Sequence, residues 1–170
     1  HCHTRRQRQM CIRDRGDRVA IWSPNSINWI LVATAIQAAG GILVPINTRM
    51  KGSEAGFILN KSKAKFLFTE NNFLDINYLD LIKDQDLPNL NKTFVLNPNQ
   101  SETEASINDL FSKHSINLPK IVQDDVADII FTSGTTGEPK GVMINQSQNI
   151  NVFDYWSTFV GLNSEDRYLI

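Results

Sequence analysis

Short apolar runs alternate with segments of helical periodicity along most of this chain, and this alternation constrains the fold more than any other feature. The run at 18–22 is short and largely apolar, whereas 27–39 repeats apolar residues every three or four positions. Strands are predicted at 18–22, 42–44, 65–68, 93–96, 128–131 and 141–144, and helices at 27–39, 54–61, 73–83, 107–114 and 147–160. Because strands that alternate with helices form right-handed βαβ units, the predicted fold class is α/β with a mostly parallel sheet.

Two details of this pattern predict where the core lies. The run at 128–131 lacks polar alternation beyond its first residue, which is typical of a strand buried inside a sheet. The last helix is predicted to be amphipathic, with apolar residues at helical spacing: Ile150, Phe153, Trp156 and Val160. All three tryptophans, Trp22, Trp29 and Trp156, are expected in the core.

Composition limits the classes of function. The chain has 170 residues, 41% of them hydrophobic and 21% charged, which suits one soluble globular domain. Its net charge of −1 predicts no nucleic-acid partner. The longest apolar stretch, 29–39, is about half of what a transmembrane helix needs, so no transmembrane segment is expected. Both cysteines, Cys2 and Cys11, precede residue 16, and a reducing, cytoplasmic location is expected.

The first fifteen residues differ from the rest. They contain five arginines and one acidic residue and show no helical or strand period. Three interpretations are open: a basic tail that binds an anionic partner, a native disordered N-terminus, or non-native sequence. We expect 1–15 to be a non-native or disordered leader, with ordered sequence over 16–170.

A Gly/Thr-rich loop joins the last two predicted strands. Glycines there can turn successive backbone N–H groups toward one point, which forms an anion-binding nest. Hydroxyl groups add donors, and Lys140 adds a mobile positive charge suited to phosphate. The predicted phosphate-binding residues are Thr132, Ser133, Gly134, Thr135, Thr136, Gly137 and Lys140. The alternative is an ordinary polar surface hairpin. The spacing is not G-x-x-x-x-G-K-[ST], which disfavours a P-loop kinase or GTPase.

The ordered string T-S-G-T-T-G-E-P-K-G at 132–141 resembles the signature of the adenylate-forming superfamily, which includes acyl-CoA synthetases, luciferases and peptide-synthetase adenylation domains. Segments 16–26, 44–49 and 166–170 also resemble bacterial fatty-acid and related carboxylate–CoA ligases. The resemblance covers 16–170, and it implies the N-terminal part of an AMP-binding domain.

This resemblance implies a two-step reaction that uses ATP, Mg²⁺ and coenzyme A. A small-molecule carboxylic acid is adenylated with release of pyrophosphate, and the coenzyme A thiol then displaces AMP. The loop residues would cradle the β- and γ-phosphates, and the Thr132 hydroxyl is implied as a Mg²⁺ ligand. Medium- or long-chain fatty acids are the default substrates, with a steroid-derived propanoate or an aromatic acid as alternatives.

Relatives carry their adenine-binding segment, ribose-binding aspartate, Mg²⁺-binding glutamate, hinge and catalytic lysine beyond the point that corresponds to Ile170. We therefore expect no catalytic residue in this chain, and no adenylation by the chain alone. Two alternatives remain open: an adenylating enzyme with a carrier-protein acceptor, and a non-catalytic nucleotide-binding module. The oligomeric state is not predicted.

Several polar residues near the loop receive individual interpretations. Glu138 would be repelled by a triphosphate and is expected to face solvent. Gln146 stands where relatives often have histidine, and it either lines an acyl pocket or packs at the start of a helix. Asp124, Asp125 and Asp128 could suggest a metal site, but flanking a buried strand they are expected to be solvated or to act as caps.

Overall fold

The computed structural model describes residues 15–97, 105–111, 117–132 and 138–167. The strands are β1 (Arg18–Trp22), β2 (Ile42–Pro45), β3 (Phe66–Thr69), β4 (Lys92–Val95), β5 (Val126–Thr132) and β6 (Lys140–Asn145). The helices are α1 (Ile27–Ala38), α2 (Gly52–Ser62), α3 (Tyr78–Ile82) and α4 (Gln146–Val160), with a short 3-10 helix at Ile107–Leu110. Most of the predicted leader, 1–14, lies outside the described residues.

Within the described residues the strands form one sheet in the order β4-β3-β1-β2-β5-β6. Every neighbouring pair is parallel except β5 and β6, which pair as an antiparallel hairpin. The predicted α/β class with a mostly parallel sheet is confirmed. Because parallel strands share a direction, the carboxyl ends of β1, β2, β3, β4 and β5 lie along one edge of the sheet.

The sheet is covered on both faces, which explains why its central strands are apolar throughout. On one face, α1 packs Val32, Ala33 and Ile36 against β1, β2, β3 and β4. On the other face, α2 and α3 cover the opposite side chains of β1, β2 and β3, and Ile129 and Phe131 of β5 pack beside them. Strands buried on two faces read as continuous apolar runs, and β1 and β3 do so in this chain.

The predicted helix at 73–83 is wrong in its first half. Phe73 and Ile76 exchange backbone hydrogen bonds of 3.1 and 3.0 Å across a two-residue turn. Leu74 and Asp75 at the tip have φ of 53° and 60°, in the left-handed region that ends a helix. The helix begins only at Tyr78, where the Asn77 side chain caps it by accepting from the N–H of Leu79 at 3.0 Å.

Two further expectations are corrected at the end of the chain. Residues 112–114 of the helix predicted at 107–114 lie outside the described residues, and its start is a 3-10 helix. The helix α4 forms as predicted, yet none of its side chains is buried. Trp156 is 41% exposed and is not a core residue, whereas Trp22 is fully buried and Trp29 packs against the core from a partly buried position.

The strand β5 lies inside the sheet, as predicted, between β2 and β6. It is not covered on both sides along its whole length, because Ile130 is 40% exposed. No helix in the described part of the chain is both long and apolar enough to cross a membrane.

The contact between α2 and α3 yields a stability test at two glycines of one helix. A Cβ on Gly52 would lie 1.9 Å from the backbone oxygen of Leu81, so alanine cannot fit unless the helices separate. A Cβ on Gly56 would meet only the movable end of the Gln85 side chain, at 2.9 Å. We expect Gly52→Ala to lower the free energy of unfolding by about 1–3 kcal/mol, the usual cost of overpacking.

The matched control is Gly56→Ala, which should be neutral or stabilise by up to about 1 kcal/mol, because alanine favours the helix. Urea denaturation of both variants, followed by circular dichroism, measures the difference. Equal effects at the two positions would contradict the packing described for Gly52.

Candidate functional site

The antiparallel hairpin of β5 and β6 brings two of the seven predicted phosphate-binding residues together. Thr132, the last residue of β5, pairs directly with Lys140, the first residue of β6. Side chains that face each other across an antiparallel pair lie on the same side of the sheet. Both residues are exposed, so a hydroxyl and an ammonium group are presented together at the end of the hairpin.

The other five predicted residues form the connection between the strands. Ser133, Gly134, Thr135, Thr136 and Gly137 lie outside the described residues. What the structure describes is the base on which this loop is built. Since Thr132 ends β5, the loop begins at the carboxyl edge of the sheet, where ligands of open α/β sheets bind.

An open cleft of about 590 Å³ adjoins the returning arm of the loop. It is lined by Lys61, Glu138, Pro139, Lys140 and Gly141. Glu138 is exposed, as predicted. Two lysines and one glutamate leave the cleft positively charged, which favours an anion. Lys61 was not predicted as a site residue, because a single lysine in an ordinary helix carries no motif.

Asp125 fastens the start of the hairpin. Its carboxylate accepts a hydrogen bond of 2.9 Å from the N–H of Val122 and pairs with Arg15. These contacts, the Val122 N–H first, hold the pKa of the Asp125 carboxyl below its usual value. Asp125 therefore closes the turn at 122–125, and its backbone oxygen also accepts from the N–H of Gln146 at 2.9 Å.

The start of α4 follows directly from the hairpin. Asn145 Oδ1 accepts from the N–H of Gln148 at 2.8 Å, and Gln148 Oε1 accepts from the N–H of Asn145 at 2.9 Å. This reciprocal capping box fixes the first turn of the helix. Gln146 is the first residue of α4, and its backbone contact with Asp125 supports the helix-start interpretation of this position.

Asp128 differs from its prediction, because it is neither solvated nor a cap. It is 7% exposed and lies on β5 between two helices. Its Oδ1 accepts from Gln37 Nε2 of α1 at 2.9 Å, and its Oδ2 accepts from Asn149 Nδ2 of α4. No three histidine, cysteine, aspartate or glutamate side chains cluster for a metal ion in the part of the chain that the structure describes. Asp128 is therefore a buried tether between a strand and two helices.

The glycine at 141 gives a second stability test, inside the hairpin. A Cβ there would lie 3.0 Å from Ile129 Cγ2 and 3.1 Å from Phe131 Cζ. We expect Gly141→Ala to lower the free energy of unfolding by about 1–3 kcal/mol, because the facing ring must move.

A double-mutant cycle with Phe131→Leu tests this cause. The penalty of Gly141→Ala should fall to less than half when Phe131 is leucine, since the ring that crowds the new methyl group is gone. The urea denaturation midpoints of the parent, the two single variants and the double variant measure this change in penalty. If Gly141→Ala cost the same free energy with phenylalanine or leucine at position 131, the Phe131 ring would not be the reason for a glycine at 141.

Comparisons with known proteins indicate the family of this chain. A model of the family described as AMP-binding enzyme matches residues 12–170. The 3-[(3aS,4S,7aS)-7a-methyl-1,5-dioxo-octahydro-1H-inden-4-yl]propanoyl:CoA ligase of Rhodococcus jostii is 34% identical over 169 residues, covering 91% of this chain and 33% of that protein. The crotonobetaine/carnitine–CoA ligase of Proteus sp. is 34% identical over 166 residues, covering 94% of this chain and 32% of that protein.

The fold is also similar to that of solved CoA ligases. The anthranilate CoA ligase AuaEII in complex with anthranoyl-AMP superposes with a TM-score of 0.75 at 25% identity, covering 89% of this chain and 30% of that chain. The present chain spans about a third of the length of the curated relatives it matches.

Proposed function

The chain belongs to the AMP-binding enzyme family, and we propose that the protein carrying it is an ATP-dependent acyl-CoA synthetase. The reaction converts a carboxylate, ATP and coenzyme A to acyl-CoA, AMP and pyrophosphate. The observation that carries this proposal is the hairpin, which presents Thr132 and Lys140 side by side at the carboxyl edge of the sheet.

We propose that this chain supplies the phosphate-binding loop, formed by residues 132–137 and Lys140. The Lys140 ammonium would offset the negative charge of the β- and γ-phosphates, and backbone N–H groups of the glycine-rich segment would donate to their oxygens. Mg²⁺ prefers oxygen ligands together with substrate phosphates, and the exposed Thr132 hydroxyl offers one such oxygen. Bound there, Mg²⁺ would neutralise phosphate charge.

In the first step a carboxylate oxygen of the substrate attacks the α-phosphorus, and the bond to the bridging oxygen of pyrophosphate breaks. Negative charge grows on the departing pyrophosphate, where Lys140 and the loop N–H groups would stabilise it. In the second step the sulfur of coenzyme A attacks the acyl carbonyl and AMP leaves. The contribution of this chain is thus to orient the triphosphate and to stabilise its leaving group.

The substrate is proposed as a small-molecule carboxylic acid, with medium- or long-chain fatty acids as the default. The named relatives act on carboxylic acids of different shape, an indenyl propanoate and crotonobetaine or carnitine, so the shared group is the carboxylate. These relatives are CoA ligases, which favours coenzyme A over a carrier-protein thiol as acceptor. A cytoplasmic location fits the use of ATP and coenzyme A.

Removing the positive charge of Lys140 is the most direct test of this function. In the complete protein, we expect Lys140→Ala to reduce carboxylate-dependent ATP–pyrophosphate exchange by about 10²–10³-fold, the usual cost of losing one group that stabilises developing charge. Glu138→Gln is the matched control, two residues away and exposed, and should change the rate by less than about threefold.

Carboxylic acids of several chain lengths and ring types should be screened, so that a wrong choice of substrate is not mistaken for the absence of the proposed function. If the complete protein catalysed no exchange with any acid, the proposed function would be wrong. If Lys140→Ala were as active as the parent, the function would stand and the loop assignment would fail.

The 170-residue chain alone is predicted to be inactive. It spans about a third of its curated relatives, so groups needed for adenylation are proposed to lie in the remaining part. We expect its rate of ATP–pyrophosphate exchange to equal that of a protein-free blank under conditions in which the complete protein is active. Exchange above the blank, abolished by Lys140→Ala, would contradict this prediction.

A further inference from the structure

We propose that Asp128 is a positioning residue, which locks the register of the β5–β6 hairpin against β2 and thereby sets where Thr132 and Lys140 lie. This inference rests on the proposed function, since it concerns the same phosphate-binding loop. It is carried by three observations: a bulge in β5, the pairing of β5 with β2, and the two hydrogen bonds of a buried carboxylate.

The bulge lies directly before Asp128. Val126 pairs with Asn145, yet Asp128 pairs with Ile144, so two steps along β5 are matched by one step along β6. Ala127 is therefore an extra residue, and it is fully buried. A bulge of this kind re-aims every side chain that follows it, because the faces of a strand alternate with period two.

The faces after the bulge decide where the loop begins. Ile129 and Phe131 pack on the face covered by α2 and α3, whereas Asp128 contacts α1 and α4 on the opposite face. By alternation the Cβ of Thr132 lies on the face of Asp128, and the Cβ of Lys140, directly opposite Thr132, lies there too. A slip of the hairpin by one residue against β2 would turn both side chains to the other face.

Asp128 is also where the hairpin joins the rest of the sheet. Among the described residues, β5 pairs with β2 at a single position, Leu43 with Asp128. The side chain strengthens this junction by accepting from Gln37 of α1 and Asn149 of α4. Asp128 thus joins the hairpin to β2 through the strand pairing, and to α1 and α4 through its carboxylate.

The carboxylate makes the register specific. A buried carboxylate is tolerated only where donors surround it, and here two amides supply them. If β5 slipped by one residue against β2, Asp128 would face the apolar side chains of α2 and α3, without these donors. The wrong register is therefore penalised, and the hairpin stays in the arrangement that puts Thr132 and Lys140 on one face.

The experiment compares four variants of the complete protein. Asp128→Ala removes both hydrogen bonds, and Asp128→Asn keeps one acceptor and can bond a rotated Asn149 amide. Asp154→Ala removes an exposed aspartate of α4, more than one helical turn beyond Asn149. Gly52→Ala destabilises the α2–α3 contact instead and serves as the control for a loss of stability alone.

Two readouts are needed. The first is kcat/KM for MgATP in ATP–pyrophosphate exchange, corrected for the folded fraction at the assay temperature. The second is hydrogen exchange of peptides covering 126–132 and 140–145, relative to peptides covering β1 and β3. We expect Asp128→Ala to lower kcat/KM by about 10- to 100-fold, since small displacements of reacting groups have effects of this size.

We also expect hydrogen exchange of the backbone amides in Asp128→Ala to accelerate in the hairpin but not in β1 or β3. Asp128→Asn should recover most of both properties, and Asp154→Ala and Gly52→Ala should leave kcat/KM within about threefold of the parent. The proposal is overturned if Asp128→Ala matches Gly52→Ala in both readouts. If the parent enzyme shows no pyrophosphate exchange, the proposed function fails, and the hydrogen-exchange comparison still decides whether Asp128 holds the hairpin.

Discussion

Burial of β1 on both of its faces is the constraint from which the rest of this structure follows. Val19, Ala20, Ile21 and Trp22 are all fully buried, and burial of a side chain such as valine or isoleucine contributes about 1.5–3 kcal/mol relative to exposure. Alternate side chains of a strand point to opposite faces, so both faces need a cover. Helix α1 provides one cover, and α2 with α3 provides the other. Right-handed crossovers then align the parallel strands and gather their carboxyl ends at one edge.

That edge is held by hydrogen bonds to buried side chains. Trp22 Nε1 donates to the backbone oxygen of Asn47 at 3.0 Å, and the Tyr78 hydroxyl donates to that of Thr48 at 3.2 Å. The two rings pack with centroids 4.6 Å apart, and burial raises the pKa of Tyr78. The loop after β2 is thus fixed from below by aromatic side chains, next to the strand that leads to Thr132.

The fold could be predicted from the sequence because its signals are local. Apolar runs, helical spacing and the Ser26 cap, which accepts from the N–H of Trp29 at 3.1 Å, all act within a few residues. The turn at 73–76 escaped prediction because leucine rarely adopts a positive φ such as that of Leu74, and no glycine marks the turn. Trp156 was expected in the core because helical spacing shows that a face is apolar, but not whether another element covers it.

The same limit applied to the site. The loop composition predicted a phosphate-binding role, since glycine, hydroxyl and lysine side chains are adjacent in sequence. Lys61 and Asp128 could not be found in this way. Their roles depend on partners far along the chain: Lys61 shares a cleft with Lys140, and Asp128 bonds Gln37. Such pairings exist only once the sheet order is known.

The hairpin also shows why a polar residue is needed inside an apolar strand. Apart from Asp128 and Thr132, the residues of β5 are apolar on both faces. In β6, Val142 and Met143 occupy successive positions and are 48% and 67% exposed. Hydrophobic alternation therefore cannot choose between registers. Two residues can: Gly141, which leaves room for Phe131, and Asp128, which must reach two amides. Register is thus specified by one small residue and one charge, at a cost in apolar burial that keeps Thr132 and Lys140 on the same face.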